Sequence, residues 1–213
     1  PPPLSASHAR ILGSLIEKEA ATPEAYPLTA NAVQVACNQK TSRDPVMELE
    51  AGEVGHALRQ LESQGLVKSI HGARAQRYEH RFAQCYSVTG KQQALLCVLL
   101  LRGAQTAMEL HNRCDRLAEF ADADEVRQTL ERLQQRTPAL VQNIGRGAGQ
   151  REDRYMHLLA GPIDAEGLLA ALPRAQQAPA HDDLQARVDA LEARVDALQS
   201  ELALLRARLG ADG

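Results

Sequence analysis

The sequence predicts a mainly α fold with small β-hairpins, an α+β arrangement in which one helix–helix–helix–hairpin unit occurs twice and a coiled-coil helix closes the chain. Three observations predict it. Helical apolar periodicity and strand-like runs follow one another in the same order in two halves of the chain. Residues of one half recur at matching places in the other. An unbroken heptad pattern occupies the C-terminal end.

The first unit opens with a helix over residues 8–21, whose apolar stripe is Ile11, Leu12, Leu15 and Ile16. Pro23 and Pro27 break it. Thr29 is placed to N-cap a short second helix through about residue 39. After the loop at residues 40–45, a third helix runs over 50–64 and stops at Gly65. Strand-like runs at 66–70 and 76–82 flank a hairpin tip, His71-Gly72-Ala73-Arg74. This is the order of the winged helix, an elaborated helix-turn-helix.

The second unit repeats the order, with helices over 91–101, from about Thr106, and over 123–136, then strands at 140–144 and 154–159. Leu58-x-x-Leu61 with Leu66-Val67-x-x-Ile70 matches Leu130-x-x-Leu133 with Leu140-Val141-x-x-Ile144. Arg77-Tyr78-x-His80 matches Arg154-Tyr155-x-His157, and Thr29-Ala30 matches Thr106-Ala107. The offsets of 72, 74 and 77 residues drift only where loops differ. The domains so read are residues 5–87 and 88–160, followed by a short helix and proline-containing linker over 161–182 and a coiled-coil helix over 183–210.

In the last segment Leu184, Val188, Leu191, Val195, Leu198, Leu202, Leu205 and Leu209 alternate spacings of 4 and 3. With Val188, Val195, Leu202 and Leu209 at a and leucine at every d, the β-branched valines favour a parallel two-stranded coil. In that register Arg187 faces the partner subunit's Glu192, and Glu201 faces the partner subunit's Arg206. The sequence therefore predicts a parallel homodimer.

Composition narrows the classes. Hydrophobic residues are 44% of the 213 and aromatics 3%, with no Trp, so the core is aliphatic. The apolar run at 94–101 is far short of the roughly 20 residues a spanning helix needs and reads as a buried helix, so no membrane partner is expected. The start, Pro1-Pro2-Pro3-Leu4, lacks a signal pattern, and Cys37, Cys85, Cys97 and Cys114 form no C-x-x-C pair. A cytoplasmic, reducing setting is expected. The net charge of −3 is uneven: residues 1–87 hold nine Lys/Arg and nine Asp/Glu, residues 88–160 ten and nine, and residues 161–213 five and nine. The acidic excess lies in the tail and does not exclude a nucleic-acid ligand.

Chemical motifs are missing. Gly145-x-Gly147-x-Gly149 lacks the lysine and helix start of a phosphate loop and reads as a hairpin tip. His111-x-x-Cys114 has no second ligand pair, so neither metal nor cofactor is expected. His80 and His157 recur with the repeat beside Tyr78 and Tyr155, which points to packing. The sequence reads as a non-enzyme.

The stretch Ala36-Cys37-Asn38-Gln39-Lys40-Thr41-Ser42-Arg43-Asp44-Pro45-Val46-Met47 resembles the YceH family of uncharacterised bacterial proteins. Glu17-Lys18, Thr22-Pro23-Glu24, Tyr26-Pro27-Leu28, residues 99–106 and Arg154-Tyr155-Met156-His157-Leu158 extend the match over residues 10–160. The resemblance implies a tandem winged-helix fold and no particular activity or site.

In DNA-binding winged helices the third helix enters the major groove. With the core centred on Val54, Leu58 and Leu61, the opposite face of the first unit's third helix carries His56, Arg59, Gln60 and Ser63, with Glu53 and Glu62 on its flanks. Lys40 and Arg43 before the helix, and Arg74 and Arg77 in the wing, complete a modest phosphate footprint. The second unit's outer face carries Asp124, Gln128, Glu131, Arg132 and Gln135, with a flexible, basic wing tip at 145–151. The carboxylates suit protein contact better than DNA. The 39–47 loop is either a ligand clamp through Asn38, Gln39, Lys40 and Arg43 or a shaped turn with Val46, Met47 and Leu49 tucked beneath the third helix. The first reading of function is a dimeric DNA-binding protein of the transcriptional-regulator kind; the alternative is a protein-binding scaffold of tandem winged helices.

A charge at a central d position cannot be buried in the coil seam. Leu198→Lys is expected to yield monomers by light scattering; a variant that stays dimeric would place the subunit interface elsewhere.

Overall fold

Two helices that are buried on almost every side along most of their length organise the molecule. In the computed structural model, which describes residues 1–71 and 75–171, helix α1 (Ala6–Ala21) is buried at every position from His8 to Ile16. The leucine-rich helix α5 (Gly90–Arg102) is buried from Ala94 to Leu101. The sequence gives α1 only a narrow stripe, yet α2 (Ala30–Cys37), α3 (Ala51–Ser63) and α5 all pack on it, so Ala9, Gly13 and Ser14 are covered as well. A helix enclosed on all sides is a core helix rather than a surface one.

α1 and α5 approach closely where α1 has no side chain. A Cβ on Gly13 would lie 2.8 Å from Leu101 Cδ2 and Cγ and 3.2 Å from Leu100 Cβ. The Cys97 thiol donates to the Gly13 carbonyl across the same contact at 3.3 Å.

Each half carries one three-stranded antiparallel sheet. Strands β1 (Leu28–Thr29), β2 (Val67–His71) and β3 (Gln76–His80) lie in the order β1-β3-β2. Strands β4 (Gln105–Thr106), β5 (Val141–Gly145) and β6 (Arg154–His157) lie in the order β4-β6-β5. The registers correspond: Leu28 opposes Tyr78 and Thr29 opposes Arg77, while Gln105 opposes Tyr155 and Thr106 opposes Arg154. A bulge at Asn143–Gly145 distinguishes the second hairpin. The two-residue strands β1 and β4 are too short to show as alternation in the sequence.

The helices start and stop for local reasons. Ser5, Thr29, Thr89 and Thr106 cap α1, α2, α5 and α6 (Ala107–Cys114), each hydroxyl accepting a backbone N–H of the first turn. Asp122 does the same for α7 (Ala123–Gln134). Gly65 takes a φ of +73° just past α3, the left-handed conformation that favours glycine.

One expected strand is cut short. The run read as 76–82 ends at His80, and Phe82–Tyr86 forms the short helix α4. Phe82 and Tyr86 sit one turn apart with ring centroids 4.7 Å apart, both buried. Their aromatic character suits a strand, but their i, i+4 spacing turns both rings to the core.

All described residues belong to one compact unit, Pro1–Leu172, whose core draws on both repeats without interruption. Leu4 N–H donates to the Leu159 carbonyl at 2.8 Å, and Asp44 N–H donates to the Leu101 carbonyl at 2.9 Å. Arg136, beyond α7, donates to the Tyr86 carbonyl at 2.7 Å and the Ser87 carbonyl at 3.0 Å. Helix α8 (Ala165–Ala171) follows β6 and packs on β5. The linker from residue 172 onward and the heptad residues 184–209 lie outside the described residues.

The α1–α5 contact makes Gly13 sensitive to volume. Gly13→Ala recovers up to about 1 kcal/mol of helix propensity but forces Leu101 to move, and overpacking costs about 1–3 kcal/mol. Gly13→Val is expected to lower the thermal midpoint well below that of Gly13→Ala in a calorimetric melt. A valine variant as stable as the parent would show that the two helices separate freely.

Candidate nucleic-acid interface

The candidate surface is the outer face of α3. The Glu53 carboxylate accepts from Glu50 N–H at 3.0 Å and secures the helix start. Val54, Ala57, Leu58 and Leu61 face the core, while His56, Arg59, Gln60 and Ser63 are exposed together on the opposite side. Gln60 Oε1 lies 3.0 Å from His8 Nε2, and Ser63 Oγ donates to the Gln60 carbonyl at 2.7 Å. His56 and Arg59 have no side-chain partner among the described residues. The Arg59 guanidinium lies back over Gly55, where an added Cβ would stand 3.6 Å from Nη1.

The hairpin flanks this face. Glu62 accepts from Ser69 N–H at 2.9 Å and from Ser69 Oγ at 2.5 Å, and these hydrogen bonds hold its carboxyl below the usual carboxylate range. Lys68 and Lys40 are exposed. Arg77 is exposed too, but its Nη1 donates to the Pro27 carbonyl at 2.6 Å. Arg154, its counterpart, donates to the Ala104 carbonyl at 3.0 Å and pairs with Glu109 at 2.7 Å. Because both repeats use this arginine to tie the short first strand, Arg77 has a structural role before any other. Arg74 lies outside the described residues.

Arg43 is corrected by its surroundings. Its side chain is fully buried and pairs with Glu17 at 2.6 Å. It also donates to the Ala36 carbonyl, the Ser42 carbonyl and Gln39 Oε1. A guanidinium with every donor engaged in the interior cannot reach a phosphate. Arg10, also buried, donates to the Cys37 and Pro45 carbonyls at 3.0 and 2.5 Å. Asn38 exchanges two hydrogen bonds of 2.9 Å with the backbone of Leu49. The 38–49 segment is thus a turn stapled by three side chains. Leu49 is buried and Met47 packs on the core, but Val46 points outward at 52% exposure.

The second repeat offers a different face. Asp124, Gln128, Glu131, Arg132 and Gln135 are all exposed around α7. Its neighbouring cations are committed: Arg127 to Asp124 and Glu152, and Arg146 of the hairpin tip to Asp153 at 3.1 Å. The tip is less free to meet a partner's charge than its composition suggests.

Among the described residues, no group of three His, Cys, Asp or Glu side chains is placed to hold a metal, and no helix is long and apolar enough to cross a membrane. The paired histidines sit within the sheets. His80 Nε2 lies 2.9 Å from Glu19. His157 is buried opposite Val141.

Fold and site together define an α+β protein of two helix–hairpin repeats in which α3 exposes His56, Arg59, Gln60 and Ser63 together. A family described as "Protein of unknown function, DUF480" matches residues 4–150. A UPF0502 protein of Xanthomonas axonopodis pv. citri is 54% identical over 217 residues, covering 100% of this chain and 97% of its own. UPF0502 proteins of Mesorhizobium japonicum and Xanthomonas euvesicatoria are 54% and 56% identical, again over 100% of this chain and 97% of theirs. The chain belongs to this bacterial family, in agreement with the resemblance to the YceH family carried by residues 36–47.

Burial without a compensating charge pushes His157 down to about 4. The unfolded chain takes up this proton near the ordinary value of about 6.5, so the stability His157 contributes is complete above that pH and is lost as pH falls towards 4. From pH 7 to pH 5 the loss is about 2 kcal/mol. Urea unfolding at the two pH values is expected to show this loss in the parent and a smaller one in His157→Gln. Equal losses in both would show that His157 is not kept neutral by the fold.

Proposed function

We propose that this is a non-enzymatic, dimeric protein of two tandem winged-helix units that binds double-stranded DNA through α3 and the hairpin of its first repeat, in keeping with a regulator of transcription. The observation that carries the reading is the contrast between equivalent helices. α3 presents His56, Arg59, Gln60 and Ser63 to solvent, with Glu53 on its flank and Lys68 exposed on the adjoining strand β2, whereas α7 presents the carboxylates of Asp124 and Glu131 beside Arg132. Donor side chains on a third helix can meet base edges and phosphates, and carboxylates repel them. Arg59 suits base reading because its planar fork is unpartnered. A coil formed by residues 184–209 would supply the two-fold symmetry that DNA half-sites mirror.

A protein-binding scaffold is the second reading, and one observation favours it. With Arg43 buried and Arg77 tied to Pro27, the footprint on the first repeat has fewer cations than the sequence suggests. The acidic face of α7 would then meet a basic protein partner.

Fluorescence anisotropy with random-sequence duplex DNA over about 50–200 mM salt separates the readings. Binding that weakens steeply with salt, followed by loss of about 1–3 kcal/mol on selected DNA in Arg59→Ala, supports DNA recognition. Absence of binding at the lowest salt would overturn it and favour the scaffold.

A further inference from the structure

A cleft of about 580 Å³ lies where the two repeats meet. The C-terminal ends of α1, α5 and α6, the 39–42 loop and the turn after α6 enclose it. Its charged lining is Lys18, Arg102, Arg113 and Arg116 against Glu17 and Asp115. Glu17 is paired with buried Arg43, so among the lining residues four cations face Asp115 alone, with Asp44 outside the lining offsetting part of the charge on Arg102.

Cations often gather at helix C-termini because they complement the helix dipole and bond to the last carbonyls. That accounts for each cation singly, but among the described residues none of these four forms an ion pair or donates to a helix-end carbonyl. Arg102 is half-buried, and desolvation, then Arg113 and Arg43, push its guanidinium below the usual range against the opposing pull of Glu17 and Asp44. Like charges gathered in a concave, partly desolvated place repel unless an anion joins them.

The cleft also has neutral donors. Gln39 accepts from Arg43 through Oε1, which leaves its amide N–H groups to donate. Ser42 is held at φ +60°, a left-handed conformation unfavourable for serine, by the hydrogen bonds that fix Arg43. Strain maintained by its surroundings clusters at ligand sites.

We propose that this cleft binds a phosphate-bearing small molecule, with Arg102 and Arg113 taking phosphoryl oxygens and Lys18 and Arg116 adding charge at the rim. Guanidinium forks match phosphate geometry in pairs of hydrogen bonds. Four cations select a multiply charged anion over a monocarboxylate, and the volume is that of a small-molecule site. The ligand bridges both repeats, so its binding would bias their packing. The cleft shares no residue with the α3 face, and the proposal stands whether or not that face binds DNA.

Titration calorimetry of the full chain with inorganic pyrophosphate, at ionic strength held constant with sodium chloride, tests it. Saturation at one equivalent per chain is expected, with affinity weakened tenfold or more in Arg102→Gln/Arg113→Gln and unchanged in Arg132→Gln, which removes the same kind of charge from α7. Because Arg102→Gln relieves repulsion, its thermal midpoint should equal or exceed the parent's. If the pair variant does not fold, Arg113→Gln/Arg116→Gln, both exposed, replaces it. No saturable heat, or equal weakening in Arg132→Gln, overturns the proposal. So does loss of duplex DNA binding in Arg113→Gln/Arg116→Gln without pyrophosphate heat, which would assign these cations to nucleic acid. Arg59→Ala should leave the pyrophosphate titration unchanged, which keeps failure of this site distinct from failure of the α3 face.

Discussion

The contact of α1 with α5 at Gly13 is the constraint on which the rest of the molecule depends. Each helix is the first of its repeat and each is buried nearly all round. Neither could be covered by its own repeat alone, because a hairpin and two short helices enclose only part of a helix surface. Placing the two first helices against each other solves both problems at once. Close approach at a glycine brings Leu100 and Leu101 onto the α1 backbone, and the dispersion gained depends on the absence of a gap.

Two buried arginines extend this packing into the 38–49 turn. Arg10 and Arg43 each hold carbonyls that no helix or strand can satisfy, and Glu17 supplies the counter-charge for Arg43. Removing Glu17 would leave the Arg43 charge buried without its partner, a strongly destabilising change, so this pair forms together with the turn. The network also ties α1, the turn and α5 together, since Asp44 bonds to the last turn of α5. The cleft beside this network inherits its walls from the same elements, so its shape is set by the core.

Much of the fold was legible from residue pattern because the signals are local. Thr29 was readable as a cap, Thr106 as the start of a helix, Gly65 as a helix stop, and Val54, Leu58 and Leu61 as the inner face of α3. The exposed set His56, Arg59, Gln60 and Ser63 followed by geometry from that inner face. Arg43 was not legible. An arginine in a polar loop reads as a surface cation, and only the position of Glu17, 26 residues away, turns it inward. Arg77 shows the same limit, since its carbonyl partner lies across the sheet. The cleft left no sequence signal, because Lys18, Arg102, Arg113 and Arg116 come from three separated segments.

By itself the sequence determined the order of the principal helices and hairpins, their duplication, the Thr29 cap, the aliphatic character of the core and the family, since each depends on spacing within a few residues or on similarity along the chain. The tertiary structure decided that the two repeats share one core, that Arg43 is internal, that Phe82 and Tyr86 form a helix, and that scattered cations line one cleft. Those outcomes depend on which surfaces meet across long separations, and burial is a property of the meeting rather than of the residue.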